Sequence, residues 1–171
     1  AEEIMLGTPI MAVAVPKGNR QAILLQGSRS DFGGEVQFDV SNLPPGVEVE
    51  IPVLAASQAL VPILFKAKPD AAPAGALAAA AGKSTDPNVN VKSEFGALSS
   101  FVLAPNNAGV IMWSRTVDRL AVAATEEAPF SIEVVQPKVP LVRSGQMGLK
   151  VKATRKPDFK AAIAVLLPWN P

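Results

Sequence analysis

The 171-residue chain contains no cysteine, no histidine and no tyrosine. Without cysteine there is no disulfide framework, thiolate metal site or cysteine nucleophile, and the redox compartment is left open. Without histidine and tyrosine the usual general base near neutral pH, the commonest zinc ligand and the phenolic acid are missing, so most hydrolase mechanisms lose a member. Charge is scarce and balanced: 16 basic residues against 15 acidic ones give a formal net charge of +1. No long-range field draws the chain to nucleic acid or an anionic membrane, and neither nucleic-acid binding nor membrane insertion is expected. No run of apolar residues is long enough to span a bilayer as a helix. The opening "AEE" suits equally a mature protein after signal cleavage and a start introduced for expression.

What is present is apolar and alternating. Hydrophobic residues make up 49% of the chain, and its length suits one large domain or one domain plus part of another, with a real core in either case. Val36, Phe38 and Val40 alternate with Glu35, Gln37 and Asp39. Val47, Val49, Ile51 and Val53 alternate with Glu48, Glu50 and Pro52, and Ile63, Phe65 and Ala67 with Leu64, Lys66 and Lys68. That period of two predicts strands with one wet face. Pro44-Pro45-Gly46 lies between two such runs; two residues without amide donors, then a glycine, predict a crossing between sheets or a strand corner.

The run "AAPAGALAAAAGKS", residues 71–84, carries two opposing signals. Alanine has the best helix propensity, but Pro73, Gly75 and Gly82 punctuate the run and a helix so short is marginal in water. Between strands, a small-residue strand is the reading adopted. Residues 91–104 and 110–124 flank Pro105-Asn106-Asn107-Ala108-Gly109 and predict a hairpin. Phe130, Ile132 and Val134 continue the alternation.

Residues 13–44 align with 140–171 at an ungapped offset of 127, bringing Val15 onto Val142, Gly18 onto Gly145, Asp31-Phe32 onto Asp158-Phe159 and Pro44 onto Pro171. Internal repetition of this kind predicts tandem modules. About eight strands with prolines at the corners predict an all-β, Ig-like β-sandwich over residues 1–135. Residues 136–171 would then hold the first strands of a second, incomplete β-sandwich module. An up-and-down barrel is the alternative. The end at Pro171 reads as a stop inside that second module. Residues 137–171 are expected to pack on the first domain or to pair, or exchange strands, with another chain.

With "NLPPGVEVE" and "VPILFKAKPDAAPAGALAAAAG", the sequence resembles Ig-like modules of large secreted or envelope-associated bacterial proteins. The stretch from Val117 to Ile163 looks like the junction between two such modules in proteins that also carry pre-peptidase C-terminal domains, some of them attached to subtilisin-like proteases. The resemblance implies tandem domains, neighbouring domains of the same protein as partners, and an exported location. It supplies no catalytic residue, cofactor or metal.

Side chains with chemistry are few. Asp86, Asn88 and Asn90 stand at alternate positions like the start of a calcium loop, without its glycine and closing glutamate, so a solvated turn is expected. Ser28-Arg29, Ser30-Asp31 and Ser114-Arg115 bring hydroxyls near charge without a base. Glu2-Glu3, Glu48-Glu50 and Glu126-Glu127 read as solvated carboxylates. Trp113 and Trp169 could stack on a sugar ring, but a core or module interface is the expectation. Lys150, Lys152, Arg155, Lys156 and Lys160 would keep a strand face wet. No catalytic, cofactor or metal residue is therefore assigned. The functional expectation is a non-catalytic structural or interaction module. The alternatives are a carbohydrate-binding or adhesion module, or the accessory region of a secreted hydrolase.

Overall fold

The computed structural model describes residues 3–7, 12–104, 110–140 and 142–165. They contain strands and no helix. The chain divides into two compact units, residues 1–126 and 127–171. This division falls earlier than the sequence boundary at 135/136, and it leaves the strand Phe130–Val135 with the second unit.

In the first unit the strands are β1 (Glu3–Gly7), β2 (Ala12–Pro16), β3 (Arg20–Ser30), β4 (Val36–Ser41), β5 (Val47–Glu50), β6 (Leu60–Ala67), β7 (Ala74–Ser84), β8 (Lys92–Phe95), β9 (Ala97–Ala104), β10 (Val110–Val117) and β11 (Leu120–Thr125). One sheet runs β5-β6-β3-β1-β8 and a second runs β2-β11-β7-β4. Strands β1, β3, β6 and β5 take the places of A, B, E and D of an immunoglobulin sandwich, and β4, β7 and β11 those of C, F and G. The first strand is split: β1 pairs antiparallel with β3, while β2 crosses to the other sheet and pairs parallel with β11. Among the described residues no sheet closes into a barrel.

The alternation places the core. Ile23 and Leu25 of β3, Val61, Ile63 and Phe65 of β6, Val36 and Phe38 of β4, and Leu120 and Val122 of β11 are buried in one cluster between the two layers. The alanine run is strand β7, paired with both β4 and β11. The ladder with β11 takes Ala74 to Ala78 and the ladder with β4 takes Ala79 to Ser84, and that pairing outweighs a propensity worth a fraction of a kcal/mol per residue. Pro44-Pro45-Gly46 does carry the chain from one sheet to the other: Pro44 is buried, and Gly46 takes φ +77°, where a Cβ would meet that of Ala71 at 2.8 Å.

Three expected strands are broken. The run after Gly46 ends at Glu50, and Leu54, not Val53, is the buried residue beyond it. Pro52 cannot donate to a ladder, so the chain leaves β6 there and crosses to the other layer, where Leu54 bridges Val36. Gly96 separates β8, the edge of the five-stranded sheet, from β9, and a bend at Asp118 separates β10 from β11.

The second unit holds β12 (Phe130–Val135) and β13 (Lys150–Arg155), an antiparallel pair. Its ladder repeats that of β1 and β3. Phe130 pairs with Arg155 as Ile4 pairs with Arg29, Ile132 with Ala153 as Leu6 with Gly27, and Glu133 with Lys152 as Gly7 with Gln26, each at an offset of 126. The turn before β13 repeats as well. Asn19 N donates to Pro16 O at 2.9 Å around Gly18 (φ +74°), and Gly145 N donates to Val142 O at 2.9 Å around Ser144 (φ +59°). The ungapped offset of 127 is therefore one residue out over this stretch. It would set Lys150 and Lys152 on the buried Ile23 and Leu25, whereas 126 sets Leu149 and Val151 there. A one-residue slip turns a strand's side chains to the wrong face. Residues 161–165 form no strand; the residues after them, with Pro171, lie outside the described residues.

Candidate interaction surfaces

Because neighbouring side chains on a strand alternate, the outer face of the four-stranded sheet is settled by its inner one. Opposite the buried Val13, Val15, Leu120, Val122 and Ala78 stand Ala12 and Ala14 of β2, Ala121 and Ala123 of β11, and Gly75 and Leu77 of β7. They line a shallow depression of about 520 Å³. Methyl groups and a glycine form its floor, and Leu77 stands at its edge 60% exposed. No lining residue carries charge, and no general acid, base or nucleophile faces it.

Strands β9 and β10 form a separate two-stranded ribbon. Phe101 lies across from Trp113 and Val102 across from Ile111, and register shifts between Val110 and Trp113 leave Leu103 and Met112 as the unmatched residues of two bulges. The side chains of Trp113, Ser114 and Arg115, and all of Trp169, lie outside the described residues, so the sugar-platform and Ser114 readings have no geometry to stand on.

In the second unit β12 and β13 form an amphipathic ribbon. Phe130, Ile132 and Val134 share a face with Val151 and Ala153, and Ile132 and Val134 are 53% and 52% exposed. Glu133, Lys150 and Lys152 share the other face. Phe130 stacks on Phe159 with ring centroids 5.4 Å apart, and Lys156 Nζ donates to Glu127 Oε2 at 2.6 Å.

Several of the other residues singled out in the sequence have local partners. Asp86 Oδ1 accepts from the backbone N and the side-chain Nδ2 of Asn88 at 2.9 and 3.1 Å, an Asx turn. Among the described residues no cluster of acidic side chains suited to a metal ion occurs. Glu48 and Glu50 on β5 pair with Lys68 and Lys66, and Lys17 with Glu126. The Glu48 bond, then its charge, raises the Lys68 pKa. Arg29 binds carbonyls: its guanidinium donates to Gln58 O at 2.7 Å, Ala55 O at 2.9 Å and Leu54 O at 3.3 Å, while its buried Nε has no partner among the described residues. This clamp on the loop after the crossing has no sequence signal beyond a basic residue late in β3. Comparisons with protein-family profiles, curated proteins and solved structures found no match to this chain.

Proposed function

We propose that the chain is a non-catalytic structural or interaction module of a multidomain exported bacterial protein, built from successive sandwich modules. The observation that carries this reading is the repetition at offset 126: strand pairing, turn and left-handed residue all recur in the second unit. A single-domain enzyme has no need of a second start of its own fold. Array proteins do, because each module buries its own core and joins its neighbours end to end. The exported location rests on the resemblance of the Pro-Pro-Gly corner and the inter-module junction to secreted modules. The purified chain tests it against a panel of ester, peptide and glycoside substrates and on a glycan array, beside Trp113→Ala. The expected result is no turnover and no specific glycan signal. Turnover above the blank, or glycan binding abolished by Trp113→Ala, overturns the reading.

A further inference from the structure

The first sandwich protects its edges. Strands β5 and β8 are four residues long, and β5 carries Glu48 and Glu50. Strand β2 ends in Pro16, which has no amide donor. Strand β4 is bridged by Leu54, and Gln37 Nε2 donates to the edge carbonyl of Phe38 at 3.1 Å. Short edges, charge and proline all discourage strand addition. The outer face of the five-stranded sheet is wet as well, with Gln26 and Ser28 exposed and Lys66 paired with Glu50.

The outer face of β2, β11 and β7 is different. These strands lie within the first unit and both edges of β11 are paired, so the face belongs to a finished layer. Ala12, Ala14, Ala121, Ala123 and Gly75 floor the hollow of about 520 Å³, and Leu77 rises exposed at its margin. Asn42 Nδ2 donates to Leu77 O at 2.9 Å and holds the backbone beneath that side chain. A hollow and a protruding side chain on one face are the two halves of a self-complementary contact. After half a turn, Leu77 of one copy enters the hollow of the other.

Charge selects the occupant. A partner bearing charged or hydrogen-bonding side chains would lose water here and gain no bond, since the lining side chains offer none. The matching surface is one equally flat and uncharged, and this face is itself such a surface. We propose that the methyl-paved face of β2, β11 and β7 is a self-association surface whose occupant is the same face of a second copy of this chain, with Leu77 of each copy seated in the hollow of the other. Area sets the strength. Strand spacing and rise give the face about 300 Å², against about 800 Å² a side in a stable dimer. Free copies therefore associate reversibly, and copies held side by side, at an effective concentration of about 1 mM, pair.

Sedimentation equilibrium of the whole chain from about 20 μM to about 2 mM is the test. The average mass is expected to climb from that of the monomer toward twice that value with a Kd of about 1 mM, and sulfate should strengthen the association because it favours apolar burial. Leu77→Glu and Ala14→Lys, both at exposed positions, should each weaken association about tenfold by setting a charge into the hollow. Mixed in equal amounts, the two variants should recover it. The new glutamate of one copy then meets the new lysine of the other, while the second Leu77 contact stays native. Four results overturn the proposal: a monomer at every concentration, weakening by sulfate, association undiminished in either variant, or no recovery in the mixture.

Discussion

Gly27 and Leu54 form a coupled pair whose two single substitutions fail for opposite reasons. Gly27 faces inward on β3, and a Cβ built there would lie 2.6 Å from Leu54 Cδ2. Leu54 is fully buried where the chain crosses between the sheets, bridged to Val36. Leu54→Ala opens a cavity under the crossing, and buried Leu→Ala changes cost about 2–5 kcal/mol. Gly27→Ala overfills the same space at a cost of about 1–3 kcal/mol. Against that stands about 0.4–1 kcal/mol gained from a less flexible unfolded chain. The net loss for Gly27→Ala alone is about 0.5–2 kcal/mol.

With Leu54 already truncated the obstruction is gone, and the added methyl fills part of the cavity. Gly27→Ala should then stabilise by about 0.5–1 kcal/mol, a reversal of sign. Urea unfolding of the wild type, both single variants and the double variant measures the coupling, expected at about 1–3 kcal/mol. Additivity of the two substitutions to within about 0.5 kcal/mol would refute the claim that Gly27 is there to admit Leu54.

Two further predictions concern the turns and the charged edge. Gly18 has φ +74°, and a methyl added there would have only Pro69 Cα near it, 3.8 Å away, so Gly18→Ala should cost about 1–2 kcal/mol through backbone strain alone. Gly18→Asn should cost less, and urea unfolding of both variants decides it. Lys68 has its pKa raised by the Glu48 bond and charge. A raised folded pKa gives stability that is complete below the unfolded value and lost as pH climbs through the folded one. Thermal melts from neutral to strongly alkaline pH should show a small, salt-sensitive loss that is absent in Lys68→Met.

The buried faces of β4, β6 and β11 were legible because their inward positions are bulky and their outward ones differ: Ile63 and Phe65 against Lys66 is an unmistakable period. The alanine run was legible only through its neighbours, since its own composition favours the wrong state. The partition of strands was not legible. Val47 to Val53 alternates without fault, yet Pro52 interrupts the strand, and the run from 91 to 104 gives no notice that Gly96 divides a sheet edge from a separate ribbon. Sheet order was hidden too, because pairing of β2 with β11 joins segments more than a hundred residues apart and leaves no local trace. The methyl-lined depression escaped for a different reason. Its residues are alanines and a glycine on three strands, and only the ladder brings Ala12, Ala121 and Leu77 side by side.

The one-residue error in the repeat has a physical origin. Asp-Phe at 31–32 and 158–159 keeps an offset of 127, while the ladder and the turn before it keep 126, so one residue is inserted between Arg155 and Asp158. Asp31 takes φ +55° at the end of β3. At offset 126 its counterpart is Pro157, whose ring holds φ near −65° and forbids that bend. The second unit turns differently, with Lys156 N donating to Pro129 O and Phe159 N to Lys156 O. Beyond the turn, residues 161–165 set Ile163 and Val165 among alanines where β4 alternates apolar with polar residues, and they form no ladder. Strand β4 is held by β7 along one edge and by the Leu54 bridge on the other. A strand is a pairing rather than a property of its own residues. At offset 127 Ile163 and Val165 fall on Val36 and Phe38 of β4, but among the described residues no counterpart of β7 stands beside them.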